Sequence, residues 1–231
     1  TTFGGYKAVA QTQQFQMLVI FLGLFLTFII LLNSLPDGIG LSQSLAIAGQ
    51  TGKMNLVDFK VDLSDRYNFW SGVIGGFFLF MSYFGTDQSQ VGRYLSGASL
   101  RESRLGLLFN GILKIPMQFF ILLLGVLVFV FYIYNKPPIH FNPVNISIVE
   151  KSEEAPQWNK LKDEYNFLFY ERQREYNNVL DHPEAKSEKI QSIEKTLGLM
   201  RSNADSLIKK VDPNLDTNDK DYVFISYVLS Y

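Results

Sequence analysis

The sequence predicts an all-α membrane protein in which three spanning helices lead into an extramembrane helical hairpin. Three observations carry this expectation. Long uncharged apolar runs fill the first part of the 231-residue chain, charge is concentrated in the last part, and two stretches there repeat apolar residues at helical spacing. Residues 1–134 hold 14 charged side chains, 8 basic and 6 acidic, whereas residues 135–231 hold 29, 13 basic and 16 acidic. Roughly a tenth of the first part is charged and roughly a third of the second, against a typical quarter. The formal net charge of −1 leaves neither part with the basic excess that nucleic acid demands, so no nucleic-acid partner is expected. The absence of Cys excludes a disulfide framework, a thiol nucleophile and a Cys-ligated metal, and two histidines leave little for a His-based site.

Between Lys7 and Asp37 there is no charge, and Phe15 to Leu32 is almost wholly apolar. About 20 such residues at about 1.5 Å rise cross the hydrocarbon core, which predicts a first span over about 13–33. A signal peptide would carry a basic head and a small-residue cleavage site, and neither is present. The chain opens without Met, so its start is read as the interior of a longer protein. The stretch Leu41 to Ala48 is too short and too polar to span and is expected as a surface helix or loop. The second span is placed over about 69–95. Trp70 suits an interfacial anchor, while Gly72, Gly75, Gly76 and Gly85 permit close helix packing or a break. The third span, about 105–134, contains a single charge, Lys114, and a single proline, Pro116.

Loop charge sets the expected orientation. The linker from Gln88 to Arg104 carries Arg93, Arg101 and Arg104 against Glu102, while the linker from Asp37 to Arg66 carries Lys53, Lys60 and Arg66 against Asp37, Asp58, Asp62 and Asp65. Basic excess marks the cytoplasmic side. Residues 135–221 are then expected on the non-cytoplasmic side of a multi-pass protein of the cell membrane. Within them, Pro137, Pro138 and Pro143 are expected to stop helix continuation. Trp158, Leu161, Tyr165, Leu168, Phe169, Tyr176 and Val179 recur at helical spacing, as do Ile190, Ile193, Leu197, Met200, Ala204, Leu207, Ile208 and Val211. Two antiparallel helices joined by a turn at Asp181-His182-Pro183-Glu184 would cover each other's apolar faces. A structural insertion is the simpler reading of this hairpin and a partner-binding device the alternative. Residues 222–231 become apolar again and are expected to begin a further membrane-approaching segment. The triplet Asn145-Ile146-Ser147 is a glycosylation acceptor only in a glycosylating host.

Two residues in the apolar part invite a functional reading. An ammonium at mid-bilayer costs about 2.5 to 3.5 kcal/mol, so Lys114 either faces a partner or a watery cavity, or lies near the inner interface and snorkels. Asp87 either sits in a discontinuous helix of the kind that exposes backbone groups at a transport site, or follows a helix that simply ends in water. Enzyme motifs are absent: there is no phosphate-binding loop, no HExxH, no GxSxG and no zinc-ligand spacing. No catalytic residue is therefore named.

The ordered series Tyr83-Phe84-Gly85-Thr86-Asp87-Gln88, Val91, Arg93-Tyr94-Leu95-Ser96, Ser99-Leu100, Gly106-Leu107-Leu108 and Leu113-Lys114-Ile115-Pro116-Met117 resembles the sodium/solute symporter family, in particular its sodium/glucose cotransporter-like branch. Thr2 to Val9 with Gln16 looks like that family's entrance to the preceding helix. The resemblance implies a fragment of a ten-helix inverted-repeat (LeuT-like) transporter, its spans being core helices five to seven and the hairpin an external insertion. It implies alternating-access symport of sodium and a small organic solute, a sugar among the possibilities. It places solute binding at Tyr83, Phe84, Asp87, Gln88 and Lys114. No cofactor is implied beyond sodium as the coupling ion, whose ligands are expected outside this fragment, so no metal residue is named. The partners are then the solute, sodium and the lipid membrane. Departures from the family pattern are Gln11 and Gln13 where Trp and Asp are usual, Phe84 where sugar carriers commonly have Trp, Gly92 for Gln, and an apolar Phe80. Phe80 removes a possible hydrogen bond to a hydroxyl-rich ligand, whereas the charge of Lys114 also suits a carboxylate. The competing class is a sensor or signalling module that uses the same membrane fold as its input.

Overall fold

In the computed structural model, residues 5–51, 54, 59, 68–88, 91–92, 99–181 and 188–230 are described. They form eight helices of eight or more residues: α1 (Gly5–Asn33), α2 (Leu41–Gln50), α3 (Phe69–Gly85), α4 (Leu100–Tyr134), α5 (Pro143–Glu150), α6 (Ala155–Asp181), α7 (Glu188–Val211) and α8 (Lys220–Ser230). The chain divides into two units, residues 1–30 with 55–124 and residues 31–54 with 125–231, so the two long helices α1 and α4 contribute to both. Arg93 to Ser96, most of the acidic linker before Asn68, and the expected turn at His182-Pro183-Glu184 lie outside the described residues.

The first unit is built from apolar helices whose side chains point outward. On α1, Phe15, Leu18, Val19, Leu22, Phe25 and Leu26 are all exposed, and the same holds along α3 and the first half of α4. A helix that is apolar all round and unburied needs lipid or other helices as its solvent. Among the described residues, Gln11–Asn33 and Leu100–Tyr134 are long and apolar enough to cross a membrane. The helix α3 is shorter, 17 residues or about 25 Å. It starts where the Asn68 side chain accepts the Ser71 N–H at 2.8 Å. Next to that cap, the Trp70 indole N–H donates to the Phe59 carbonyl at 3.2 Å. The expected second span over 69–95 is thus a helix that stops at Gly85, with helical geometry resuming at Gln88.

The second unit has an interior of its own. The apolar face expected on residues 156–180 is buried at Trp158, Tyr165, Phe169, Tyr176 and Val179, and its counterpart on α7 is buried at Ile190, Ile193, Leu197, Ala204 and Ile208. Ile139 and Val149 complete this core. The helix α4 has already stopped at Tyr134, so Pro143 does not end it; it opens α5 as its first residue, where a missing N–H costs nothing, and the Asn142 side chain caps that start by accepting the Val144 N–H at 3.0 Å. The stretch at 41–48 is a helix, α2, whose Ser44, Ile47 and Ala48 are buried and which packs on α6. Gly38, at φ +87°, makes the preceding turn that a side chain would strain. On α8, Tyr227 packs edge-on against Phe131, 4.9 Å between ring centres.

Hairpin residues also finish the end of α4. The last carbonyls of a helix lack intrahelical donors. Here the Arg172 guanidinium donates to the Tyr132 carbonyl, the Gln173 amide to the Tyr134 carbonyl at 3.3 Å, and Asn135 to the Phe131 carbonyl. A buried polar group lies nearby in the same unit. His140, 1% exposed, sets Nδ1 3.4 Å from both Asp205 and Asp219, while the Asn145 amide donates to its Nε2 at 3.1 Å, which places the ring proton on Nδ1. Asn145 also donates to the Asp216 carbonyl and is itself buried, so the glycosylation triplet has no accessible acceptor in this fold.

Candidate functional site

The site begins where α3 ends. The Ser82 carbonyl accepts three donors at once: the Thr86 N–H at 3.0 Å, the Asp87 N–H at 3.1 Å and the Thr86 hydroxyl at 2.9 Å. That crowding turns the chain out of the helix. The Asp87 carbonyl then accepts the Val91 N–H at 2.9 Å as helical geometry resumes. Gly85, Thr86 and Asp87 are residues with low helix propensity, and Thr86 and Asp87 offer side chains that compete for backbone bonds, which accounts for a break at this point.

Three aromatic rings precede the break. Tyr83 is half-buried and meets Phe84 edge-on, 5.1 Å between centres, and Phe80 lies 5.8 Å from Phe84. Within the same unit, the Lys114 ammonium of α4 stands 6.0 Å from the centre of the Tyr83 ring. Such a cation–π contact contributes about 0.5 to 1 kcal/mol at an exposed site. Two residues further on, Pro116 lacks the N–H that the Ile112 carbonyl would otherwise accept, so α4 carries a weakened turn beside Lys114. The structure therefore brings Tyr83, Phe84 and Lys114 together. Asp87 lies in the interruption and Gln88 just beyond it, both exposed.

A single ammonium beside aromatic faces and a helix break can hold a small solute. A bound group with negative charge would meet Lys114, and a flat or apolar remainder would lie on Tyr83 and Phe84. Sequence reasoning on its own does not bring Tyr83 and Lys114 together, because 31 residues separate them and no local periodicity links them. The polar interior of the second unit, His140 with Arg172 and Arg201, was likewise not indicated by any motif.

Comparison with known proteins finds relatives over about half of the chain. The chain is 33% identical over 132 residues to the sodium/iodide cotransporter of Homo sapiens, a match covering 57% of this chain and 20% of that protein. It is 37% identical over 109 residues to the sodium-coupled monocarboxylate transporter 2 of Mus musculus, covering 47% and 17%. A third relative, the sodium-dependent multivitamin transporter of Oryctolagus cuniculus, is 37% identical over 105 residues, covering 46% and 16%. The chain matches between 16% and 20% of the length of these curated relatives. No family model matches the chain, and no solved structure matches it. The relatives are transporters rather than enzymes, and over about half its length this all-helical chain is related to the sodium/solute symporter family that its sequence resembles.

Proposed function

We propose that the chain is part of a sodium-coupled symporter for a small organic anion, with the solute held at Tyr83, Phe84 and Lys114 beside the break at Thr86–Asp87. The single observation that carries this reading is the Lys114 ammonium 6.0 Å from the Tyr83 ring, at the end of an interrupted apolar helix. An ionisable group in an apolar span is costly and so points to a function, and a half-helix end is where transporters of this architecture receive solute and coupling ion. Asp87 and Gln88 belong to the same reading as polar groups at the interruption.

The relatives support a carboxylate or comparable anion over a sugar. Those named above carry iodide, monocarboxylates and vitamins, and none is named for sugar transport. Phe80 agrees, since an exposed apolar ring next to Phe84 offers no hydrogen bond to a hydroxyl. The coupling ion is sodium, bound by residues outside this chain, and residues 135–221 lie on the non-cytoplasmic side.

The test is uptake by the full-length protein in proteoliposomes, over a panel of monocarboxylates, iodide and sugars, under an inward sodium gradient and an equal potassium gradient. Accumulation of an anion with sodium alone supports the proposal. Accumulation of sugars alone refutes the anion assignment, and no accumulation of any solute favours the sensor reading.

A further inference from the structure

The second unit contains a cleft of about 310 Å³ that helix packing does not use. Tyr132 of α4, Phe141 of the following loop, Tyr165 and Arg172 of α6 and Arg201 of α7 form its walls. All of these belong to one unit, and none is shared with the Tyr83–Lys114 site.

Its polar side chains combine the donors of Arg172, Arg201 and Tyr165 with one carboxylate, Glu194. Arg172 is 6% exposed and has five N–H donors. One terminal nitrogen donates to the Tyr132 carbonyl, the other stands 3.7 Å from Glu194, beyond hydrogen-bond reach, and the buried Nε–H has no partner. An orphaned donor on a buried cation is uncommon enough to need a cause. Tyr165 also lines the cleft, and burial pushes its phenol above the ordinary value, so its hydroxyl stays an O–H donor. The charges of both Arg201 and Arg172 act on this hydroxyl, which brings the three groups to one region. The lining carboxylate Glu194, and Asp219 beside Arg201, are already engaged. Glu194 accepts from the Tyr176 hydroxyl at 3.2 Å, and Asp219 accepts from the Phe141 N–H at 2.7 Å and from Arg201 at 2.9 Å.

The cleft is also kept open at some cost to its helices. Gly125 and Gly198 line it from within α4 and α7, where glycine weakens a helix. A Cβ added at either would meet nothing within 4 Å, so no close backbone approach demands glycine there. What the missing side chains preserve is the space. That space is about ten times a water molecule's share of about 30 Å³, room for a small organic molecule, and Phe141 and Leu197 give it apolar walls.

We propose that this cleft binds a small organic carboxylate, its oxygens on the Arg172 guanidinium and the Tyr165 hydroxyl and its hydrocarbon part against Phe141 and Leu197. The ligand adds acceptors to donors that the cleft's own carboxylate leaves unsatisfied and ties α6 to α7. Bound only by the folded unit, it raises that unit's stability in proportion to its occupancy.

The experiment is fluorine NMR of 4-fluorobenzoate with the full-length protein in detergent, in potassium buffer free of sodium, with 4-fluorobenzamide as the uncharged isostere. The benzoate is expected to broaden with both wild type and Lys114→Ala, and the benzamide with neither. Gly198→Leu, which fills the open space and favours the helix, should weaken binding at least tenfold, and Tyr165→Phe several-fold. Arg172 is left intact because it also caps α4; should Gly198→Leu lower the melting temperature, Tyr165→Phe decides. No broadening in wild type, equal broadening by the benzamide, or wild-type affinity in both cleft variants overturns the proposal. Loss of the signal in Lys114→Ala also overturns it, by assigning the benzoate to the membrane site. Uptake can fail while this binding stands, so the two proposals fall separately.

Discussion

Replacing Arg172 by Leu should release the end of α4 from the hairpin. The guanidinium, 8% exposed as a side chain, donates to the Tyr132 carbonyl in the last turn of α4 and stands over the Phe169 ring at 5.3 Å. A hydrogen bond from a charged donor contributes about 1.5 to 3 kcal/mol. A positive charge at a partly buried helix C-terminus contributes up to about 2 kcal/mol, overlapping with the first figure because one group does both. Leu restores some apolar burial, and Glu194, left without the cation, keeps the Tyr176 hydroxyl and is 26% exposed. The net loss should be about 2 to 3 kcal/mol, which at about 1.4 kcal/mol per tenfold is about a 30- to 150-fold rise in the population of the opened state. Amide hydrogen exchange along α6 and α7 of the full-length protein in detergent reads that population. Arg174→Leu, at an exposed position two residues away, is the control and should change stability by less than about 0.5 kcal/mol. Exchange in Arg172→Leu within threefold of wild type would refute the idea that this side chain holds the helix end.

Other perturbations follow from the same interior. Trp158→Ala, at a fully buried position of the hairpin core, should cost about 3 to 5 kcal/mol and show as a lowered melting temperature and fast exchange in α6. Asn145→Ala removes the donor to His140 and to the Asp216 carbonyl and should cost about 1 to 3 kcal/mol by the same exchange measurement; wild-type protein made in a glycosylating host should show no glycan mass at Asn145. Burial holds the Asp205 carboxyl above its ordinary 3.8, against the opposing pull of His140. The folded state then binds that proton more tightly than the unfolded chain, so this group's contribution to stability falls as pH rises from 3.8 through the raised value and is constant above it. Melting curves between about pH 3 and 6 should lose that component in Asp205→Asn, and an unchanged profile would contradict it.

Much of the helix order was open to reading from the sequence, for a physical reason. Apolar spacing is local information: Phe15 to Leu32 marks α1 by its uninterrupted run, and Trp158, Tyr165, Phe169 and Tyr176 mark α6 by their shared face. Pro143 shows the limit of local rules, because a residue expected to stop a helix instead begins one, and the Asn142 side chain on the Val144 N–H marks that start. The break after Gly85 depends on three donors converging on the Ser82 carbonyl, which composition alone leaves undecided. Long-range polar pairs were out of reach. Arg172 meets Tyr132 across 40 residues and Phe141 meets Asp219 across 78, and no periodicity encodes such partners. The pairing of Tyr83 with Lys114 came into view only through the resemblance to a family, and its geometry only through the structure.

The most direct test of the central claim is the initial rate of anion uptake by full-length Lys114→Ala in proteoliposomes under an inward sodium gradient, beside wild type reconstituted to the same density. If the ammonium over Tyr83 holds the solute, uptake should fall at least tenfold while Arg172 and the hairpin keep their exchange protection. Undiminished sodium-driven uptake would contradict the account and leave Lys114 as a cation that merely reaches the membrane surface.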